Sequence, residues 1–441
     1  MNADTADDEC PANIKWLPPG LRPPGGMTVR AERVFLLVGL AALFAGYDMG
    51  VFGFAVPKIQ VSLHIPEDQV GITISYFRLA ALGAVILAWS ADLVGRRRLL
   101  LFTIAGQAIA TLYTAFTPDY AQFVWAQIAT RVFGYAEEML CYVVIAEEVA
   151  ANTRGWANGT LAAMNYTGEG LASAANGLIN ILPGGWRALY VIGSLPLFLV
   201  AYLRRRLPET KRYEERTKEV QKLSSRIGTA LDMIRRLAHE HPRRLATILI
   251  FVGAFGFAIW PAAVLGPKYL QDTLHFTPPQ AAVLTISGGL IAVIFNILMG
   301  KLSEKIGRRV VVFFACLAAT VGYGVFFSGI HWPYVAYMWP LGFFGFLCAD
   351  SMFAGFAAEI MPTAYRATVS GLRYLTGILS GAVSLALEGS FYDWFGGHGY
   401  AVIVAMAAMP IAMVAILFLP EPAGRTLEDI ASEPDRKPSK A

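Results

Sequence analysis

Charged residues are scarce in this sequence. Asp, Glu, Lys and Arg make up 15% of its 441 residues, whereas 56% are hydrophobic, and a soluble domain carries about 25% charged residues. The mean hydropathy is +0.50. A chain of this composition has too few polar groups to cover a water-exposed surface, so water is excluded as the main solvent of the fold.

Cysteine pairs and a cleavable leader are also lacking. The four cysteines, Cys10, Cys141, Cys316 and Cys348, show neither paired nor metal-type spacing, which argues against a disulfide framework or a metal site. No cofactor is predicted either. Residues 1–32 lack the basic start and early apolar stretch of a signal peptide, so we expect the first apolar helix to be a membrane span.

Long apolar stretches account for most of the chain. A membrane-spanning helix needs ~20 mostly apolar residues, and twelve such stretches are present. We therefore predict an all-α membrane protein with twelve transmembrane helices. The predicted spans are 33–56, 71–90, 99–117, 122–147, 157–181, 187–204, 245–266, 280–300, 310–329, 334–357, 367–389 and 400–419.

Basic residues concentrate in one segment. Residues 204–244 contain thirteen Lys and Arg, while the loops on the opposite side carry little beyond Lys58, Arg187 and Lys268. By the positive-inside rule, both termini and this segment face the cytoplasm of an inner (plasma) membrane. A nucleic-acid-binding patch is the alternative, but acidic residues alternate with the basic ones, which favours a solvated loop and no nucleic-acid partner.

Charged clusters recur 212 positions apart, which indicates an internal duplication. Asp92, Gly95, Arg96 and Arg97 reappear as Glu304, Gly307, Arg308 and Arg309, and Glu147 and Arg154 as Glu359 and Arg366. Two six-helix halves with a substrate site between them are expected of such a repeat. Because one chain would hold the whole pathway, we expect a monomer. The predicted organisation is a tail over 1–32, a half over 33–206, a cytoplasmic loop over 207–244, a half over 245–419 and a tail over 420–441.

The repeated cluster resembles the loop between helices 2 and 3 of the major facilitator superfamily, G-x-x-x-D-x-x-G-R-R/K. The first copy has Ala88 in place of the first glycine, and the second has Gly300 but Glu304 in place of the aspartate. The resemblance implies that this cluster holds a cytoplasmic gate; the alternative is that its arginines only set topology. The predicted gate residues are Asp92, Arg96, Arg97, Glu147, Arg154, Glu304, Arg308, Arg309, Glu359 and Arg366.

Three further motifs resemble the sugar-porter branch and related metabolite:proton symporters. They are Gly46-Tyr47-Asp48, the run Leu207–Arg212, and Pro420-Glu421 followed by Gly424–Glu428. The predicted seventh helix lacks the paired glutamines with which sugar porters bind hydroxyl groups. A shared scaffold with a different substrate is therefore expected.

Ionisable residues inside the predicted spans are expensive to insert, so they indicate function or pairing. Arg131 and Glu138 fall on one face of helix 4, and Glu137, turned about 100° away, is expected to pair with a neighbouring helix. In the family that the sequence resembles, an aspartate of helix 1 pairs with an arginine of helix 4. The resemblance implies that Asp48 and Arg131, with Glu138, couple transport to protons; a static pair is the alternative.

Other intramembrane residues are predicted to contact substrate. Arg78 has a guanidinium suited to a carboxylate, and its alternative role is to pair with an acid of another helix. Aromatic residues in spans also serve as packing or interfacial anchors. The predicted substrate-binding set is Arg78, Tyr47, Tyr166, Glu169, Trp260, Trp339 and Asp350.

These patterns lead to one favoured function and two alternatives. We expect proton-coupled symport of a small organic solute, an organic acid or related metabolite, by alternating access. The alternatives are a proton-coupled exporter of cationic or amphipathic compounds, motivated by the intramembrane acids, and a sugar:proton symporter. No nucleophile–base pair, metal-ligand set or phosphate loop is visible, so an enzyme is not expected.

Overall fold

The computed structural model describes Pro23 and residues 27–149, 151–205, 223–362 and 365–421. Its elements in the first half of the chain are helices. They are α1 (Val29–Leu63), α2 (Glu67–Trp89), the short α3 (Ala91–Val94), α4 (Arg96–Thr114), α5 (Tyr120–Glu148), α6 (Ala151–Gly177) and α7 (Trp186–Arg204).

Helices continue through the second half. They are α8 (Leu223–Glu240), α9 (Pro242–Asp272), α10 (Pro278–Ile306), α11 (Arg308–Phe327), a 3₁₀ turn (Val335–Tyr337), α12 (Met338–Glu359), α13 (Arg366–Phe395), α14 (His398–Met406) and α15 (Met409–Leu417). The short helices α14 and α15 follow one another within a single apolar segment, His398–Leu417. The all-helical membrane fold predicted from the sequence is confirmed.

In the part of the chain that the structure describes, nine helical segments are long and apolar enough to cross a membrane. Three long helices, α4, α5 and α6, are not among the nine. Their sequences carry polar and ionisable residues within the helix, such as Gln107, Arg131 and Glu169. Helices whose polar groups are satisfied inside the protein tolerate such residues.

Contacts divide the chain into two compact units. Unit 1 comprises residues 1–64 and 80–220, and unit 2 comprises residues 65–79 and 221–441. Helix α2 is therefore shared: the contacts of its first part, up to Leu79, lie within unit 2, and those of its second part, from Ala80, lie within unit 1. The predicted domain boundaries stay predictions.

In unit 1, helices α1 and α6 approach each other closely. A Cβ atom at Gly168 would collide with the backbone carbonyl of Leu43, and one at Gly46 with that of Asn165. Only glycine permits this approach of two backbones, as is common where helices pack in membranes. Because Gly46 lies two residues before Asp48, the close packing fixes that part of α1 against α6.

A buried ion pair joins α5 to α7 in unit 1. Glu137 and Arg204 are 1% and 0% exposed and form a salt bridge, and Glu137 also accepts a hydrogen bond of 2.5 Å from Thr103. The prediction that Glu137 pairs with a neighbouring helix is confirmed. Arg204 is the last residue of α7, as the predicted span 187–204 has it, but the sequence assigned it no partner; in the structure it is buried against Glu137.

Aromatic rings pack against one another in unit 2. Phe251 of α9 stacks on Phe353 of α12 with 3.8 Å between ring centroids, and Tyr269 contacts Phe326 and Phe327 of α11 at 5.1 and 4.8 Å. Phe251, Phe326, Phe327 and Phe353 are at most 1% exposed. Aromatic pairs of this kind stabilise helix packing by about 0.5–1.5 kcal/mol each beyond the area that they bury.

We expect Glu137→Met to destabilise the protein by about 3–5 kcal/mol, because the change leaves the Arg204 guanidinium buried without its carboxylate. Thermal unfolding of the purified protein in detergent measures the effect. The matched control is the double variant Glu137→Met/Arg204→Met, which removes both charges and should recover most of the loss. A double variant as unstable as Glu137→Met alone would contradict this account.

Candidate functional site

Asp48 lies near the middle of α1 in a buried polar environment. Its carboxylate is 1% exposed and accepts hydrogen bonds from Thr111 at 3.0 Å and from Gln107 at 3.4 Å, both on α4. A carboxylate placed among helices is stabilised only by such donors or by a positive charge. The polar side chains of α4 thus account for one buried acid in the middle of an apolar helix.

Arg131 of α5 lies beside Asp48 and interacts with it electrostatically. Its guanidinium hydrogen-bonds the sulfur of Met49 and approaches the Met49 carbonyl at 3.4 Å. The hydrogen bonds of the Asp48 carboxylate come from α4 rather than from Arg131. The structure therefore brings the two predicted residues together without a direct salt bridge between them.

Two further predicted acids belong to the same cluster. Glu169 of α6 lies within electrostatic reach of both Arg131 and Glu138, and both acids are partly buried. We call Asp48, Arg131, Glu138 and Glu169 the unit 1 polar cluster. One arginine among three acids leaves a surplus of negative charge in a low-dielectric site, which is a setting that favours proton binding.

The two predicted tyrosines of unit 1 differ in exposure. Tyr47 is 6% exposed, and its hydroxyl donates to the Leu189 carbonyl at 3.2 Å, so in this structure it packs α1 against α7. Tyr166 is 43% exposed on α6. Of the two, only Tyr166 presents its ring at a surface of unit 1.

In unit 2, Arg78 of α2 lies over the ring of Trp260 of α9. The guanidinium carbon is 3.5 Å from the ring centroid, which is a close cation–π contact. Trp260 also meets Phe346 of α12 edge-on at 5.5 Å. The sequence offered both Arg78 and Trp260 as candidates, but nothing in their spacing indicated that they touch.

The other two candidates of unit 2 are in different environments. Trp339 is 2% exposed and stacks on Phe343 at 5.3 Å, so in this structure it fills the space between helices. Asp350 of α12 is 53% exposed and forms a 3.2 Å salt bridge with Arg373 of α13.

An amide and hydroxyl pair was not singled out from the sequence. Asn296 of α10 donates to the Ser351 hydroxyl at 3.0 Å, one residue after Asp350. Neither side chain is charged, so neither stood out among the intramembrane residues.

The two copies of the repeated loop have the same backbone conformation. Gly95 precedes α4 with φ 102° and ψ 146°, and Gly307 precedes α11 with φ 103° and ψ 142°. Residues with a side chain rarely adopt this conformation. The match at equivalent positions supports the internal duplication inferred from the 212-residue spacing.

Arginines of these loops pair with acids at the ends of α5 and α12. Arg96 contacts Glu147 at 3.3 Å, and Arg308 contacts Glu359 at 2.5 Å. These two pairs are equivalent in the repeat.

The remaining predicted gate residues have other contacts. Arg97 donates to the Arg205 carbonyl at 2.6 Å, Arg366 donates to the Met361 carbonyl at 3.2 Å, and Glu304 is exposed. The side chains of Asp92 and Arg154 lie outside the described residues.

Glu421 anchors the second loop to the end of the last apolar segment. Its carboxylate accepts from the backbone N–H groups of Arg308 at 2.8 Å and Arg309 at 2.9 Å. Arg309 in turn donates to the carbonyls of Leu417 and Leu419 at 3.2 and 3.3 Å. A carboxylate at a helix N-terminus satisfies otherwise unpaired N–H groups and the helix dipole.

Among the residues that the structure describes, no three His, Cys, Asp or Glu side chains are grouped to hold a metal ion. The candidate site residues described above form polar clusters within helices and ion pairs at helix ends. Comparison with known proteins assigns it to a family. The sequence matches the Major Facilitator Superfamily over residues 38–385 and 246–441.

The chain belongs to the major facilitator superfamily. It is similar to the "Probable 4-methylmuconolactone transporter" of Cupriavidus pinatubonensis, with 23% identity over 89% of this chain and 91% of that protein. It is also similar to the "Proline/betaine transporter" of Escherichia coli K12, with 26% identity over 62% of this chain and 60% of that relative.

Solved structures show the same fold. The xylose transporter XylE from E. coli, in an inward open conformation, aligns with TM-score 0.71 and 18% identity over 91% of this chain and 99% of XylE. The nucleoside transporter NupG aligns with TM-score 0.72 and 14% identity over 88% of this chain and 99% of NupG. This member of the superfamily is a multi-pass membrane transporter and not an enzyme, as the sequence predicted.

We expect Glu421→Gln to lower stability by about 1 kcal/mol, because the amide loses one accepting oxygen and the charge at the start of α11. Thermal unfolding in detergent checks this. Glu304→Gln, which changes an exposed acid in the same turn, is the control and should unfold like the wild type. An equal loss in both variants would contradict the capping role of Glu421.

Proposed function

We propose that this transporter is a proton-coupled symporter that imports a small organic acid or related metabolite across the inner membrane by alternating access. The observation that carries the proposal is the unit 1 polar cluster, in which Asp48 is almost fully buried beside Arg131. Both termini face the cytoplasm in this proposal, the carrier acts as a monomer, and no nucleic acid is a partner.

Coupling follows from the balance of charge around Asp48. A buried carboxylate near an arginine is ionised when the arginine and hydrogen-bond donors are close, and it takes up a proton when they withdraw. Conformational change alters those distances, so proton uptake and transport are linked. Each proton that enters gains ~2.3 kcal/mol per 100 mV of membrane potential. This is enough to drive accumulation against a gradient.

The substrate class is argued from Arg78 and Trp260. A guanidinium pairs with a planar carboxylate through parallel hydrogen bonds, and the Trp260 face fixes the orientation of the Arg78 guanidinium through the cation–π contact. Together they suit a small organic acid whose carboxylate binds the oriented guanidinium. The relative described as a 4-methylmuconolactone transporter is consistent with this class. Tyr166, Glu169 and Asp350 are proposed as further substrate contacts, and Trp339 and Tyr47 as residues that shape the site by packing.

The cytoplasmic pairs are proposed to act as a gate. Arg96–Glu147 and Arg308–Glu359 lie at equivalent ends of the two repeats, so both can break and re-form in the same step of the cycle. The gate proposed from the sequence also includes Asp92, Arg97, Arg154, Glu304, Arg309 and Arg366.

Two other functions remain as alternatives on the same scaffold. Glu138, Glu169 and Asp350 are acids that would attract an organic cation, which favours an exporter of cationic or amphipathic compounds. XylE is a xylose transporter, which favours a sugar:proton symporter. Proton movement on adding each class of compound separates the three.

We expect Asp48→Asn to abolish uphill accumulation of substrate in proteoliposomes, while exchange between equal pools inside and outside continues. The amide cannot take up the coupling proton but keeps the shape of the side chain. The measurement is the alkalinisation of the outer medium when aliphatic and aromatic acids, sugars or organic cations are added. The class of compound whose uptake is accompanied by proton uptake is the symported class. If protons instead move in the direction opposite to an organic cation, the protein is an exporter and not a symporter.

Asp393→Asn is the matched control for Asp48→Asn. Asp393 is an exposed aspartate near the end of α13, so removing its charge should leave accumulation and proton movement unchanged. An Asp48→Asn protein that still concentrates substrate would end the coupling proposal.

We expect Trp260→Leu to raise the KM for organic acids by about two- to thirtyfold, since the cation–π contact that orients Arg78 contributes about 0.5–2 kcal/mol. Arg78→Lys should weaken uptake of the same acids, because an ammonium lacks the bidentate geometry of a guanidinium. Uptake kinetics in proteoliposomes measure both. Trp394→Leu, at a tryptophan that is 74% exposed, is the control; an equal change there would argue against the Trp260 site.

A further inference from the structure

A second group of ionisable residues lies in unit 2, apart from the polar cluster of unit 1. His398, the first residue of α14, has a carboxylate at each ring nitrogen. Nδ1 is 2.6 Å from Glu388 of α13, and Nε2 is 2.8 Å from Glu67, the first residue of α2. We call these three residues the histidine bridge.

The geometry of the histidine bridge requires an extra proton. A neutral imidazole has one N–H donor and one bare nitrogen. Two ionised carboxylates at hydrogen-bond distance from both nitrogens therefore need a doubly protonated ring. If the ring is neutral instead, one carboxyl must carry the proton and donate it. In either arrangement the three groups share one proton beyond those of a neutral histidine and two carboxylates.

Burial makes this proton decisive for the packing. Glu388 is fully buried, and its second oxygen, Oε2, has no hydrogen-bond partner among the described residues. That oxygen would lie 2.6 Å from a Cβ atom at Gly71. Loss of the shared proton would leave one ring nitrogen bare. A neutral ring that keeps its N–H on the buried Glu388 then turns a lone pair toward the Glu67 carboxylate of α2, and the two repel each other. The contact between α2 and α13 therefore depends on the proton.

Among the described residues, the lysine that contacts the histidine bridge is Lys268, and the exposure of the bridge residues changes along it. Side-chain exposure falls from 43% at Glu67 to 14% at His398 and 0% at Glu388, so the bridge runs from water into the protein. Lys268 contacts Glu67 at 3.1 Å and Asp272 at 2.6 Å. The titratable and charged groups on the elements around the ring are Glu67 and Asp68 on α2, Lys268, Tyr269 and Asp272 on α9, and Glu388, Tyr392 and Asp393 on α13.

We infer that the histidine bridge is a second proton-binding site, in which one proton shared by Glu388, His398 and Glu67 holds the segment 65–79 of α2 against the rest of unit 2. We call this contact the latch. The segment is held when the proton is bound and is released when the proton is lost. By the predicted topology this end of the helices faces outside, so external protons set the state of the latch. The site acts independently of Asp48.

The latch also bears on the shared helix α2. The latched segment ends at Leu79, one residue before α2 passes into unit 1, and it carries Arg78 on Trp260. Release of the segment would therefore move Arg78 as well. The second proton site would link external pH to the proposed substrate contact.

Cysteine labelling tests the latch. Ser75 is buried at 3% exposure and donates to the Ala382 carbonyl of α13 at 2.8 Å, so Ser75→Cys should react with a maleimide only when the segment is released. The rate is divided by that of Val61→Cys, an exposed site, to remove the reagent's own pH dependence. Wild type gives the background from native cysteines. The protein is purified in nanodiscs, without substrate.

We expect the normalised rate to be low near pH 6 and to rise by up to about tenfold per pH unit once the shared proton is lost, as for a single-proton equilibrium. Adding His398→Gln should give a high rate at every pH, because no ring proton is available. Adding Glu388→Gln should give a low rate at every pH, because the amide donates to Nδ1 and no extra proton is needed.

His331→Gln, which replaces an exposed histidine, is the control and should keep the wild-type profile. A flat normalised rate in Ser75→Cys alone, or a pH profile unchanged by His398→Gln, would overturn the inference. If His398→Gln is not monodisperse on size exclusion, the Glu388→Gln profile decides: a retained pH dependence there overturns it. None of these outcomes depends on transport, so they are distinct from a failure of the Asp48 proposal.

Discussion

The need to satisfy charges inside apolar helices organises this structure. An ionised side chain within a membrane span requires a partner or a donor at hydrogen-bond distance. In unit 1 the buried acids Asp48 and Glu137 find theirs on α4 and α7, through Thr111, Thr103 and Arg204. The contacts that stabilise these acids also determine which helices pack together. The side chains proposed for binding therefore also contribute to helix packing.

Unit 2 meets the same constraint with different means. Arg78 lies on an aromatic face, and Lys268 and His398 share carboxylates where helices end. Its interior also contains a cluster of stacked and edge-on aromatic rings, which need no polar partner. Unit 2 thus carries the paired charges of Lys268 and His398 near the ends of helices, whereas unit 1 carries a polar cluster within three helices.

The sequence predicted those features that depend on the spacing of residues along the chain, namely the helices and the repeated loops. Apolar stretches gave the helices, and the 212-residue offset predicted two equivalent loops, whose glycines share one backbone conformation. Partners were harder to predict, because they depend on how helices face one another. Arg204 ended a predicted span with no partner assigned to it, and it is buried on Glu137. The residues of the histidine bridge come from three helices, with Glu67 and His398 331 positions apart. No periodicity within one helix indicates such contacts.

The low hydropathy of α4, α5 and α6 has a consequence for biogenesis. A charged residue at the centre of a helix adds about 2.5–3.5 kcal/mol to its insertion free energy. These three helices are consecutive in the chain and none is among the segments apolar enough to cross a membrane by itself. We expect them to enter the bilayer together with α1 and α7, which carry or accept their polar groups. The residues that equip the carrier for transport thus make its assembly in the membrane cooperative.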